Sequence, residues 1–476
     1  MPGTPERGSA GPGLREVLLH RGYLGLLLVS ALVGVPISLA AFGFVGLEHE
    51  LQHWVWESLP DAAGYDRAPW WWPLPALLLA GLLLAPVVTR LPGRGGHVPV
   101  DGLGGPPGLP RDVPGVLLAA LACLPLGAVL GPEAPLMAMG GGLALLAVRS
   151  ARRERQPRLV PVLGAAGSAA AIATIFGSPL VAGVMLIEAA GLGGPQLVVL
   201  VLPCLLASGV GALVFTGFGH WTGLSIGALS LPHVPKSGVP DPGDFLWGVP
   251  LAVVIAAVCV AGQALGRRVK TYTTGTPHRT AVRTVLCALA VGGCLAAYAL
   301  ITGRTPEEAA LSGQATLGAL AADPASWPIG VLLALVACKA VAWGVALGSL
   351  RGGPIFPAIL LGAALGVACA PLPGFGTAPG LAVGLVAAGA SVTRLPVTST
   401  VLAAMLLGGE AANLMPLLIV AGVTAFIAGE LLRGLAERTP APAGPAAARA
   451  GGARARAGGG GAPAAARARA PRGGGA

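Results

Sequence analysis

Long apolar runs, broken again and again by Gly-Pro pairs, govern what this chain can fold into. Runs of 17 or more apolar residues recur from Tyr23 onward, long enough to cross a bilayer as helices. Yet the 476 residues include 75 glycines and 44 prolines, which exclude a bundle of straight rods. Helices interrupted at membrane depth are tolerated only where the freed backbone is buried in protein or lines a cavity. Charged residues make up 11% of the chain, against roughly a quarter in soluble proteins. The expected fold class is an all-α polytopic membrane protein.

The first run, Tyr23 to Leu47, lacks a small-residue cleavage site and reads as a retained helix rather than a signal peptide. Residues 1–15 form a flexible lead, 16–435 the membrane domain (halves 16–218 and 244–435), and 436–476 a disordered tail of Arg, Ala, Gly and Pro. The net charge of +10 owes much to six tail arginines between 449 and 472, a solvated segment with no nucleic-acid partner expected. Basic clusters at Arg149–Arg158 and at Arg267, Arg268, Lys270, Arg279 and Arg283 mark the cytoplasmic side, with both termini. The loop from Gly217 to Gly243 suits the outside of the plasma membrane, and Trp70-Trp71-Trp72 an interfacial anchor. The seven cysteines lie in apolar segments without a CxxC pair, as small buried hydrophobes.

The breaks recur in order. GPEAPLMAMGGGLA (131–144) precedes FGSPLVAGVMLIE (176–188), and GGPIFPAILLGAALG (352–366) precedes TRLPVTSTVLAAMLLGGE (393–410). Broken helices at corresponding places in two halves point to a transport site between inverted repeats. Glu133 is the one charged residue between Asp112 and Arg149, and a carboxylate at the centre of a span costs roughly 2.5–3.5 kcal/mol. Pro135 announces a helix start, and helix N-termini hold anions. Glu133 therefore reads as a tethered anion that yields to a mobile one. No charged residue lies between Gly352 and Thr393, so an anion there is held by backbone dipoles, which permit release.

These segments resemble the CLC family of chloride channels and chloride/proton exchangers. GPEAP is similar to its G-[KR]-E-G-P motif, GGPIFP to its G-x-F-x-P region, FGSPLVAGVMLIEA to its F-N-A-P-L-A-G helix, and ASVTRLPVTSTVLAAML to its late A-P-L-T-like helix. The match runs in order from about residue 16 to 433. It implies an inverted repeat of tilted, broken helices, a homodimer in the lipid bilayer with a pore in each subunit, and transport of chloride or a similar small anion with or without protons. No cofactor, metal or enzymatic activity is implied. Glu133 falls on the family's external gating glutamate, and Ala134, Gly353, Ile355 and Phe356 on backbone that lines the anion sites.

The sequence departs from the family at several places. The early G-S-G-I-P matches best at Gly95-Gly96-His97-Val98-Pro99, so Gly96, with His97 after it, stands where the family has an anion-coordinating serine. Pro354 removes one amide, and no tyrosine lies between Leu414 and Leu432. Glu188 sits one place before the exchangers' internal proton-accepting glutamate, and reads equally as a relay or as a helix end at the interface. Lys339 reads as an interior structural charge; Arg351 and Arg394 border spans and are expected to snorkel.

Two other classes compete. HELQH (49–53) fits the zinc-protease pattern H-E-x-x-H, with Asp101 as a distant third ligand. One span after a cytoplasmic N-terminus carries HELQH outward, whereas Asp101 lies beside Arg90 and Arg94 on the cytoplasmic side, so HELQH reads as the polar end of the first helix. A cation-coupled transporter with broken helices would need acids or hydroxyls at both breaks, and the second has none.

Overall fold

The computed structural model describes residues 14–102, 109–150, 159–191, 194–223, 231 and 234–438. The basic stretch 151–158, part of the 217–243 loop and the tail from 439 lie outside the described residues. The chain divides into a compact unit ending at Glu430 and a second unit from Leu431. The described part of the latter is the helical stretch 431–438.

The first half carries α1 (Leu14–Leu19), α2 (Arg21–His53), α3 (Leu59–Ala62), α4 (Pro73–Arg90), α5 (Val113–Cys123), α6 (Glu133–Ser150), α7 (Leu159–Phe176), α8 (Pro179–Ala190) and α9 (Gly194–Thr222). The second carries α10 (Pro242–Thr273), α11 (Pro277–Thr302), α12 (Gln314–Ala322), α13 (Ile329–Ser349), α14 (Ile355–Cys369), α15 (Thr377–Thr393), α16 (Pro396–Leu407) and α17 (Ala411–Arg438). Among the described residues, seven helical segments are long and apolar enough to cross a membrane. Helices such as α8 and α16, at 12 residues each, reach about 18 Å and cannot cross alone.

The repeat is visible in the packing. In the first half α6 lies on α7, and in the second α14 on α15, backbone against backbone. A Cβ on Gly140 would fall 2.3 Å from the Gly167 carbonyl oxygen, and one on Gly362 would fall 2.1 Å from that of Gly384. Small residues permit this approach, which membrane helices exploit because apolar burial gives them little mutual attraction in lipid. The next helix in each half, α8 or α16, opens at a proline, and these two touch across the halves.

One register detail differs from the sequence expectation. Helix α6 begins at Glu133, so Pro135 is its third residue rather than its first. The first four N–H groups of a helix lack internal partners, so the missing N–H still costs nothing there. Pro357 is likewise the third residue of α14. The breaks thus align as G-P-x-x-P: Gly131-Pro132-Glu133-Ala134-Pro135 over Gly353-Pro354-Ile355-Phe356-Pro357.

Candidate functional site: the meeting of two broken helices

The aligned glycines are bonded to each other. Gly131 N–H donates to Gly353 O at 2.8 Å, and Gly353 N–H donates to Gly131 O at 2.5 Å, an isolated antiparallel bridge. This pair consumes the Gly353 amide, and Pro354 has none, so the free donors at the start of α14 are the next two. Both point at one atom. Glu133 Oε1 accepts from Ile355 N–H at 3.1 Å and from Phe356 N–H at 3.0 Å. The glutamate of the first repeat therefore occupies the helix N-terminus of the second, where dipole and unpaired N–H groups favour negative charge.

Glu133 is 1% exposed, and its Oε2 has no hydrogen-bond partner. That oxygen rests over the paired glycines: a Cβ on Gly131 would stand 2.2 Å from it, and one on Gly353 1.9 Å. Glycine at both positions is what leaves space for the carboxylate. Ala134 is buried beside it, and the Phe356 ring packs on Phe176 with centroids 5.4 Å apart.

Other expected site residues lie elsewhere. Gly96 adopts φ +90°, where a side chain is strained, and a Cβ would meet Val116 Cγ2 at 3.2 Å. The glycine in place of serine thus answers a backbone requirement. His97 Nε2 pairs with the Gly102 carbonyl at 2.6 Å. Val116 precedes Cys123 by about 10 Å along α5, and the Cys123 thiol donates to Arg351 O (3.0 Å) beside the break. Arg351 does not snorkel: its Nε donates to Arg94 O at 3.3 Å, and its stem passes Gly95. Arg394 forms a two-pronged pair with Glu430 at 2.7 and 2.6 Å.

Glu188 crosses between repeats. Its carboxylate accepts from Val397 N–H (2.9 Å), Thr398 N–H (2.7 Å) and Thr398 Oγ1 (2.7 Å), at the start of α16. Helix α8 is capped by its own Ser178, whereas α16 has Leu395 at that place and no side-chain cap of its own. Glu188 supplies the missing acceptor. Lys339 is fully buried and donates to the carbonyls of Ala309 and Ala310 at 2.9 Å and of Leu311 at 3.3 Å.

HELQH ends α2, as the sequence reading holds. Asp101 bonds Lys270 Nζ through both oxygens at 2.7 Å, near the end of α10 where α11 begins. The motif instead lines a cavity with residues 304–327, beyond the other end of α11. That 26-residue helix spans about 39 Å, so Asp101 and the histidines lie at its opposite ends. His53 faces Glu57 at 3.3 Å, and among the described residues no three His, Cys, Asp or Glu side chains form a metal-ligating group. Sequence reasoning missed the neighbouring acid. Glu50 of the motif is exposed, but Glu48 is buried, bonded by Gln52, and shares the cavity wall with Pro132.

The family model described as voltage-gated chloride channel matches residues 100–429. The chain belongs to the voltage-gated chloride channel (CLC) family. Its members are transporters, and anion transport, as a channel or an anion/proton exchanger, is the activity that membership brings. The "Putative ion-transport protein YfeO" of Salmonella schwarzengrund (strain CVM19633) is 29% identical over 364 residues, covering 73% of this chain and 80% of the relative. Its counterpart in Salmonella newport (strain SL254) is 29% identical over 363 residues, with the same coverage. Among solved structures, a slow cyanobacterial Cl⁻/H⁺ antiporter superposes with a TM-score of 0.69 at 17% identity, covering 87% of this chain and 99% of that one. A CLC-type fluoride/proton antiporter gives 0.66 at 18% identity, covering 85% and 95%. At such identity these two likenesses speak for the fold, which is the expected CLC-like array of broken helices.

Proposed function

We propose that this CLC-family chain exchanges a small anion, chloride or one of similar size, for protons, with Glu133 as the gate of a pathway in each subunit. The observation that carries the reading is the pair of bonds from Ile355 and Phe356 N–H to Glu133 Oε1. A carboxylate held by a helix N-terminus stands where a mobile anion would bind, and the two exclude one another. Protonation weakens its hold on the amides, because hydrogen bonds to a charged acceptor are roughly twice as strong as neutral ones. The gate then opens as the proton arrives, which couples the two ions. The superposed antiporters, one for chloride and one for fluoride, agree with exchange.

Ile355 and Phe356 would contact the anion through their backbone N–H groups, with Gly353 leaving room for it and Ala134 buried nearby. Gly96 and His97 remain the candidates for an inner station, with backbone in place of a hydroxyl. The three bonds of Glu188 to the start of α16 favour a cap between repeats over the inner proton acceptor. A homodimer in the plasma membrane is what the family resemblance implies, and termini on the cytoplasmic side accord with the basic clusters. The cavity lined by HELQH is then extracellular.

Anion flux from proteoliposomes with simultaneous pH recording tests the reading. Proton movement opposite to anion movement is expected for the wild type and is lost in Glu133→Gln. Anion flux without protons would make the chain a channel, and no anion flux under any gradient would sink the proposal.

A further inference from the structure

The cavity lined by Pro132, the residue before Glu133, has the wrong charge for an anion mouth. It measures about 790 Å³ and is lined by five carboxylates, Glu48, Glu57, Glu307, Glu308 and Asp323, against one guanidinium, Arg304. That cation is already engaged: Arg304 Nε lies 2.8 Å from Glu308 Oε2, and its plane stacks 4.2 Å over Trp327. A cleft with an excess of one charge concentrates the opposite ion and thins its own kind. This cleft gathers cations, and protons are the cation its carboxylates and imidazoles (His49, His53) can bind and pass on.

A route inward exists at one point. Glu48 is 6% exposed, and it lines this cavity together with Pro132, the residue before the gate. Gln52 donates to one of its oxygens, and the carboxylate lies within electrostatic reach of Glu133 and of the Cys123 thiol. Pro132 is followed in the chain by Glu133, whose Oε2 is a buried oxygen without a partner. Around the rim, burial and then the charges of Glu57 and Glu308 hold the Glu307 carboxyl above the usual carboxylate range, so the mouth keeps a proton where isolated acids release theirs.

We propose that this cavity is a proton inlet and that Glu48 is the relay that carries protons between its water and Glu133. The inference rests on the exchange reading above. A proton taken from cavity water forms the Glu48 carboxylic acid. It then passes through water to Glu133 Oε2 and restores the Glu48 carboxylate, and the neutral Glu133 leaves the Ile355 and Phe356 amides to an incoming anion. In the reverse direction each step runs backward. The residues of H-E-x-x-H serve here as part of a charged wall, and Glu48 next to them does the transfer.

The test is paired anion and proton flux in proteoliposomes across external pH, for wild type, Glu48→Gln, Glu48→Asp and Glu57→Gln/Glu307→Gln, each checked for a monodisperse folded protein. In Glu48→Gln, proton flux is expected to fall at least tenfold and further than anion flux, so the anion-to-proton ratio rises; Glu48→Asp restores the ratio. The rim double variant shifts the external-pH midpoint of proton flux to more acid values. An exchanging wild type with an unchanged ratio and pH profile in Glu48→Gln overturns the relay and leaves exchange standing. Both fluxes falling in parallel in folded Glu48→Gln also overturn it, since a structural role suffices. A wild type that moves no protons removes the exchange reading, and the relay with it.

Discussion

Gly131 and Gly353, 222 positions apart in sequence, are bonded to each other in both directions, and the Glu133 carboxylate rests across the pair. The bridge locks the two broken helices at a fixed separation, so the distance from Glu133 to the α14 amides does not depend on loops.

Adding one methyl group at the bridge should unseat the Glu133 carboxylate. In Gly353→Ala the new Cβ would stand 1.9 Å from Glu133 Oε2, closer than any contact allows, and the flexible end of the glutamate gives way. Each charge-assisted bond lost contributes about 1.5–3 kcal/mol. The expected outcome is anion flux that no longer responds to pH, as in Glu133→Gln, measured by flux at external pH 4.5 and 7.5. A wild-type pH response would show that the carboxylate does not need this cradle.

Restoring the family's serine should fail. Gly96→Ser places a side chain at φ +90°, ψ −174° against Val116, a conformation essentially confined to glycine and costing about 1–3 kcal/mol for an L-residue. A lower unfolding temperature with no gain in chloride affinity by calorimetry is expected. Tighter chloride binding at unchanged stability would show that the segment tolerates the residue.

Glu188→Gln distinguishes cap from relay. The amide keeps one acceptor oxygen for three donors, and loss of a helix cap costs roughly 0.5–2 kcal/mol. Unfolding free energy is expected to fall by that amount, with a lower unfolding temperature, while the anion-to-proton ratio holds. A changed ratio at unchanged stability would return Glu188 to the role of inner proton acceptor.

Lys339→Met should loosen the wall of the outer cavity. The variant escapes the cost of burying an ammonium group, but it strands the carbonyls of Ala309 and Ala310, at about 1–3 kcal/mol each when unsatisfied. Net destabilisation of about 1–3 kcal/mol follows, read by unfolding in detergent and by faster proteolysis between residues 304 and 313. A protein as stable and protease-resistant as the wild type would count against the anchor.

Glu307 gives the stability a pH slope of known sign. Burial first, then Glu57 and Glu308, raise its folded pKa above the reference value of 4.5, so the native chain binds this proton more tightly than the unfolded one. Its contribution is complete below about pH 4.5 and is lost as pH rises through the folded value. Glu307→Gln should narrow the difference in unfolding temperature between pH 4.5 and 7.5. An unaltered difference would place the slope in other groups.

The breaks were legible because glycine, proline and an isolated carboxylate each announce themselves locally: a helix start, a close approach, a cost that function must explain. From GPEAP and GGPIFP the reading reached Glu133, Ile355 and Phe356, which the fold brings together. What escaped it depends on partners far along the chain. Glu188 meets Thr398 across 210 positions, and nothing in MLIEA says that Leu395 leaves a helix uncapped. Glu48 escaped for a different reason. Its helix is apolar nearly all round, so spacing does not tell which acid of EHE faces inward, and the H-E-x-x-H pattern contains Glu50 but not Glu48. Arg351 looked like a span-end cation because the loop it reaches, Arg94, is 257 positions away.

The two G-P-x-x-P segments differ at both x positions, and only the first of these changes charge, glutamate in one copy and isoleucine in the other. Around the Gly131–Gly353 bridge the backbone is close to a palindrome, and a palindrome has no front or back. Isoleucine in both copies would leave two equivalent berths with no plug; glutamate in both would set two plugs against each other. On the exchange reading proposed above, the Glu133/Ile355 difference gives the pathway its direction, so that one side of the membrane is distinguished from the other by five atoms of side chain.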